Sequence, residues 1–315
     1  MPAYVIVGGG GFIGSNIVEH LLREGEDVCV LDNFATGRRS NLERAERWAA
    51  EGGGSYRLIE GDIRDAAACD EAIAGADYVM LLAAIPSVPR SVEDPLMTND
   101  VNVNGALTVI EAARRHKVER LVYSSSSSLY GESETLPKVE TMAPAPISPY
   151  ALQKLAGESY CRMYHRLYGT PTVALRYFNV FGPRQDPSSD YAAVIPRFIT
   201  AIKAGERPTI YGDGEQTRDF TFVANVIQAN LLSCKAGNGA LGGAFNIGCG
   251  TRVSLNELVR TIAELTGRAV EPIYVEPRAG DIKHSLAGIE QAKRHLGFEP
   301  RIDLVEGLRR TVEAY

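Results

Sequence analysis

Tyr150-Ala151-Leu152-Gln153-Lys154 places a phenol and an ammonium four residues apart, one turn apart on one helical face. A phenol ionises near pH 10, so making it a base at neutrality costs about 4 kcal/mol, on the order of one cation at close range with an effective dielectric near 20. Lys154 is such a cation. Ser126, in the run Tyr123–Gly131, adds a hydroxyl able to steer a substrate oxygen. The three together make a general acid–base unit. With 14 tyrosines in the chain, a Tyr–Lys spacing also arises by accident, so its weight comes from the elements around it.

Those elements alternate. Tyr4–Val7, Asp27–Leu31, Tyr56–Glu60, Tyr78–Leu82, Arg120–Ser124 and Thr172–Arg176 read as strands, mostly apolar throughout, as strands covered on both faces must be. Phe12–Glu24, Ala66–Ala74, Val101–His116 and Pro149–Tyr168 read as helices between them. Strand–helix alternation predicts a doubly wound α/β parallel sheet of Rossmann type, with Ser126 and Tyr150 on the same side of it.

The first strand runs into Gly8, Gly11 and Gly14, spaced Gly-x-x-Gly-x-x-Gly and opening a helix. Glycine permits the tight turn and the close backbone approach that a pyrophosphate needs, and a helix N-terminus offers free amides and positive potential. The second strand ends in Asp32, where a carboxylate accepts bonds from both hydroxyls of an adenosine ribose and repels a 2′-phosphate. NAD is therefore expected over NADP, although Arg38 and Arg39 follow closely and are the feature a phosphate would use. Asp62 and Ile63 end the third strand, where an adenine edge would lie. A positively charged nicotinamide would join Lys154 in activating the phenol.

After Phe178, Pro183, Pro187, Pro196 and Pro208, with Gly205, Gly212 and Gly214, break the chain into short pieces. The expected division is a NAD-binding domain over 1–178, rejoined by about 220–249 (helix Val223–Ser233, strand Ala244–Ile247), and a smaller α/β lobe from about 179–219 and 250–315. That lobe carries helix Ser254–Thr266 and strand Pro272–Val275.

The bulk composition excludes several classes. At 45% hydrophobic and 23% charged the chain is ordinary for a globular protein. A net charge of −6 offers no general attraction for nucleic acid or an anionic membrane. The first apolar run, Tyr4–Val7, is too short for a signal core or a span. Five scattered cysteines without a Cys-x-x-Cys pair suggest neither a disulfide framework nor a metal site, and point to a reducing cytoplasm.

The sequence resembles the extended short-chain dehydrogenase/reductases, and within them the bacterial UDP-glucose and UDP-N-acetylglucosamine 4-epimerases. The likeness spans nearly the whole chain, through the glycine turn, Ser87–Pro95, the serine strand, Tyr150/Lys154, Arg176–Pro187 and Gly280–Ala287. It implies Tyr150 as base at the sugar 4-hydroxyl, Lys154 as its activator and nicotinamide-ribose anchor, and Ser126 as hydroxyl partner. It assigns NAD contacts to Phe12, Ile13, Asp32, Asn33, Thr36, Gly37, Asp62, Ile63, Leu82, Ala83, Ala84 and Phe178. It assigns the uridine diphosphate to Asn179, Val194, Tyr211, Arg218 and Arg278, and the hexose side to Ser87, Ser127, Gln185, Asp281 and Ser285. Arginine forks and amide donors suit a buried diphosphate. Two positions depart from the family: Val7 replaces a threonine before the first glycine, and Pro86 stands where many members have lysine or glycine.

The resemblance implies a UDP-hexose 4-epimerase with retained NAD, working as a homodimer through a four-helix interface. Sugar dehydratases of this fold carry an Asp-Glu pair after the catalytic hydroxyl residue, whereas this chain has Ser127 and Ser128. A UDP-glucuronate 4-epimerase is the nearest rival, and a NAD-sensing regulator the rival of another class. Four places after Asp281, where a bulky tyrosine accompanies enzymes confined to UDP-glucose and UDP-galactose, stands Ser285, which leaves room for an acetamido group.

Overall fold

In the computed structural model, which describes residues 4–187, 193–277 and 283–315, the chain begins with a strand buried on both faces. That strand, β1 (Tyr4–Val7), is followed by β2 (Val28–Asp32), β3 (Tyr56–Glu60), β4 (Tyr78–Leu81), β5 (Arg120–Ser126) and β6 (Thr172–Tyr177). Four short strands come next: β7 (Val180–Phe181), β8 (Thr209–Tyr211), β9 (Thr217–Arg218) and β10 (Thr221–Phe222). The chain then returns as β11 (Ala244–Ile247), before β12 (Val253–Ser254) and β13 (Ile273–Val275). The main sheet has seven strands in the order β11-β6-β5-β4-β1-β2-β3, all parallel. Its order reverses between β1 and β4, and a ligand of such a sheet binds outside the strand ends at that switch point.

Helices cover both faces. Along the chain they are α1 (Phe12–Arg23), α2 (Ala45–Gly52), α3 (Ala66–Ile73), α4 (Val88–Glu93), α5 (Pro95–Asn99), α6 (Ala106–Arg115) and α7 (Pro149–Tyr168). The strand pleat divides β1 between two cores: Tyr4 and Ile6 pack with Ile17, Trp48 and Met80, while Val5 and Val7 pack with Cys69, Ala112 and Cys161. The expected helix over Val101–His116 begins as a π-turn at Asp100–Gly105, where Asn102 bonds the backbone of Ile85 and the side chain of Gln153. α2 was not legible as a helix, and Trp48 on its inner face anchors it.

A third core belongs to α8 (Val194–Ala204), α10 (Leu255–Thr266) and α12 (Leu304–Ala314), with Phe198, Ile199, Leu258, Ile262 and Leu308 meeting Phe181 and Phe222. Pro196, expected to interrupt the chain, sits in the first turn of α8, where a missing N–H costs nothing. Between these run α9 (Val223–Lys235), which packs on the main sheet, and α11 (Glu290–Leu296). Among the described residues no helix is long and apolar enough to cross a membrane.

Candidate active site

At the switch point the glycine turn lies against the end of β4. Gly8 has φ +89°, and a Cβ there would come within 2.5 Å of the Ala83 nitrogen; a Cβ on Gly14 would come within 2.2 Å of the Gly8 oxygen. Glycine is therefore required at both. The N–H groups of Leu82 and Ala83 both bond the Val7 carbonyl, at 2.8 and 2.9 Å, which locks the two strand ends together. α1 begins at Gly11 with no side-chain cap and no acid in its first turn, leaving its amides and positive end for an anion.

Asp32, at the tip of β2, is buried and accepts from the N–H of Gly10 (2.7 Å) and Phe34 (2.7 Å). Burial raises its carboxyl pKa, and these two bonds pull it back. Asp62 is held by Asn33 Nδ2 (2.8 Å) and by Arg64, whose guanidinium lowers its pKa to about 2. Of the two arginines that a 2′-phosphate would use, Arg38 pairs with Asp186 at 2.6 Å. Arg39 pairs with Glu60 and lies over the Phe34 ring. Acidic partners thus oppose the phosphate reading of both.

α7 is started by Ser148, which accepts from the Ala151 N–H, with Pro149 at the first helical position. The Tyr150 N–H is tied to Ser91 Oγ at 3.0 Å. Lys154 is buried and donates from Nζ to the Ser124 carbonyl at 2.9 Å, with Nζ 6.0 Å from the centre of the Tyr150 ring. Burial pushes the Tyr150 phenol up to about 12, against a hydrogen bond with Ser126 that lowers it, and pushes Lys154 down to about 8. Burial thus outweighs the Ser126 bond and holds the phenol's proton more tightly than water would. Ser126 Oγ also accepts from the N–H and Oγ of Ser128.

Beneath this trio lies a buried ionic network. Glu158, one turn beyond Lys154, accepts from Arg176 Nη2 (2.6 Å), Arg176 Nε (3.0 Å) and Ser125 Oγ (2.8 Å). Arg176 Nη1 donates to the Tyr130 hydroxyl at 2.7 Å, which donates to Asn246 Oδ1 at 2.7 Å. The chain thereby ties α7 to β5, β6 and β11.

Around these groups is one cavity of about 740 Å³. It is lined by all the described residues that the sequence assigned to NAD, by Ser126, Tyr150 and Lys154, and by Ser87, Ser127, Asn179, Gln185, Arg218 and Ser285. Val194 and Tyr211 line an adjoining cavity of about 260 Å³, which shares Asn179 and Arg218 with the first. Arg278 and Asp281 lie outside the described residues. Sequence reasoning missed Arg90, Arg184, Asn41 and His284, which also line the large cavity. Arg90, Arg184 and His284 sit inside the motifs already noted, which was the available signal; Asn41, which bonds the Gly10 carbonyl, had none.

Among the residues expected to hold the substrate, Asn179 has φ +32° and donates from Nδ2 to the Asp219 carbonyl at 3.0 Å. Arg218 Nη1 donates to the carbonyls of Thr217 (3.0 Å) and Lys283 (3.2 Å), and the Ser285 N–H donates to Thr217 at 3.0 Å. Gln185 donates from Nε2 to Val180, while its Oε1 is buried with no partner among the described residues.

Comparisons with known proteins agree with this arrangement. The chain is 39% identical to the UDP-glucose 4-epimerase of Mycolicibacterium smegmatis, over 99% of this chain and 97% of that one. It matches the structure of the UDP-N-acetylglucosamine 4-epimerase from Methanobrevibacter ruminantium, in complex with UDP-N-acetylmuramic acid, with TM-score 0.93 and 40% identity over 99% and 97% of the two chains. It also matches the UDP-glucose 4-epimerase of Thermus thermophilus in complex with NAD, with TM-score 0.85 and 36% identity over 99% and 98%. The model of the NAD dependent epimerase/dehydratase family matches residues 4–248, and the glycine cradle with Asp32 fits that cofactor. The chain belongs to the NAD dependent epimerase/dehydratase family and is an NAD-dependent enzyme.

Proposed function

We propose that the protein is a UDP-hexose 4-epimerase that inverts C4 of UDP-N-acetylglucosamine, UDP-glucose or both. The observation that carries this reading is the single cavity in which Tyr150, Lys154 and Ser126 face the glycine cradle at one end and Asn179 and Arg218 at the other. NAD, when bound, supplies the hydride acceptor and donor for sugar C4. Tyr150 takes the 4-hydroxyl proton and returns it after the keto sugar has turned over. Lys154 stabilises the phenolate, and Ser126 holds the sugar oxygen and the phenol in register. Ser127 and Ser128 provide no carboxyl to eliminate water, which speaks against a dehydratase.

Asn179, Val194, Tyr211 and Arg218 are proposed to hold the uridine diphosphate, with Ser87, Ser127, Gln185 and Ser285 along the hexose. The NAD-binding part is taken as 1–178 with about 220–249, and the remainder as the substrate lobe. A homodimer through a four-helix interface that includes α7 is part of the proposal. Leu152 and Met163 on α7 are 57% and 41% exposed and need cover, whereas Leu155 already packs on Leu129, Tyr130 and Phe178.

Ser285 lines the same cavity as Ser126 and Ser127, and a serine there would leave space for an acetamido group. The test is turnover of UDP-glucose, UDP-N-acetylglucosamine and UDP-glucuronate by the purified protein and its Ser285→Tyr variant. Both hexose substrates should be epimerised, and the variant should lose the N-acetyl substrate selectively. Equal loss of both would remove Ser285 from the specificity role. Turnover of UDP-glucuronate alone would replace the substrate assignment.

A further inference from the structure

Asp219 stands next to the proposed diphosphate contact but has no part in lining the cavity. Its side chain is fully buried. Oδ1 accepts from the Cys249 N–H at 2.8 Å, and Oδ2 from the N–H groups of Gly250 (3.0 Å) and Ala287 (3.1 Å). Its backbone carbonyl accepts Asn179 Nδ2. Four segments meet on this one residue. Cys249 and Gly250 follow β11, the edge strand of the main sheet, and Asn179 follows β6. Ala287 comes two residues after Ser285, and Asp219 itself follows β9. The packing is close enough that a Cβ on Gly248 would lie 2.5 Å from Ala287 Cβ and 3.0 Å from Asp219 Oδ2.

Bonds from N–H groups to an ionised carboxylate are roughly twice as strong as neutral ones. Three of them, from two separate segments, fix the distance between those segments. Burial pushes the Asp219 carboxyl up to about 6, while the three N–H bonds hold it down, so the nest is what keeps the anion inside. Neighbouring side chains on an extended segment point to opposite sides. With Asp219 turned inward, Arg218 is directed to the cavity, where it also bonds the Lys283 carbonyl.

We propose that Asp219 is a positioning residue: it locks Arg218 and the 283–287 segment onto the end of the main sheet, and so sets where the UDP-sugar lies relative to Tyr150. This rests on the reading of Arg218 as a diphosphate contact.

The test compares Asp219→Asn, Asp219→Ser, Arg218→Lys and the double variant Asp219→Asn/Arg218→Lys in the full chain with its NAD. The readouts are UDP affinity by calorimetry, KM, kcat and NAD per chain. Each single variant should weaken UDP binding and raise KM by roughly tenfold, with kcat changed by less than about threefold and NAD content kept. The double variant should lose clearly less than the product of the two single losses, because both act largely through one guanidinium. Additive losses overturn the proposal, as does a fall in kcat at unchanged KM. Loss of NAD or of the fold in both Asp219 variants also overturns it, since the residue then serves the whole structure. Normal UDP affinity in Arg218→Lys would instead remove the diphosphate reading of Arg218. Weakened Arg218→Lys beside normal Asp219 variants would remove the role of Asp219 alone.

Discussion

The two ends of the cavity are built by different means. On the cofactor side the functional atoms stand at the tips of four- to seven-residue parallel strands whose register is fixed along their length, with Gly8, Asp32 and Ser126 each ending or following one. On the proposed substrate side, Asn179 and Arg218, with Tyr211 of the adjoining cavity, stand on or beside strands of two or three residues, and Asn179 and Arg184 adopt positive φ. A strand tip cannot move without its neighbours. A loop residue moves alone unless something such as Asp219 ties it down. The chemistry proposed for Tyr150, Lys154 and Ser126 thus sits on the sheet and on α7 packed against it, and the proposed recognition sits where side chains can be exchanged without disturbing them.

That contrast can be broken most severely beneath the catalytic trio. Glu158→Gln leaves the Arg176 guanidinium buried without its counter-charge, which should cost about 3–5 kcal/mol of stability, read as a lower urea midpoint. A midpoint within error of wild type would mean that the network does not hold α7 to the strands. Next, Asp32→Asn removes the charge proposed to repel a 2′-phosphate and to hold the adenosine ribose. The ratio of NADP to NAD dissociation constants should narrow by roughly tenfold. An unchanged ratio would shift cofactor selection to Arg38 and Arg39 with their acidic partners.

A third effect, of similar size, sharpens the proposed catalytic side. The Ser126 hydroxyl lowers the Tyr150 pKa by bonding the phenolate. In Ser126→Ala that pKa rises, less phenolate is present at a given pH, and the acid limb of kcat moves to higher pH. At neutrality kcat should fall on the order of tenfold with KM near its original value. A limb that stays in place would separate Ser126 from the titration of Tyr150.

The same contrast explains what was legible in the sequence. β1, β3 and α7 have the bounds read from the pattern; the apolar run Tyr4–Val7 marks β1, and Ser148-Pro149 with a C-terminal glycine at 169 marks α7. The Gly8–Gly14 turn and Asp32 were legible for the same reason, as strand, turn, helix, strand and acid follow in order. α8 was hidden by Pro196, since composition does not tell a proline in a first turn from one that ends a helix. The partners of Glu158 and Asp219 were hidden because periodicity identifies faces, not which polar residues on distant segments meet inside. Arg176 was noted only as part of a motif, and its burial against Glu158 depends on the β5–β6 register that sets Ser125 beside it.

The central claim is that Tyr150 on α7, with Ser126 at the end of β5, performs the proton transfer and that the proposed lobe side holds the substrate. Its most direct test is to measure kcat, KM and bound NAD for Tyr150→Phe and Arg218→Lys in one assay with one UDP-hexose. Tyr150→Phe should lose on the order of 10² or more in kcat with KM and NAD content kept, and Arg218→Lys should raise KM with kcat nearly unchanged. Near-normal kcat in Tyr150→Phe, or a loss confined to kcat in Arg218→Lys, would contradict the account.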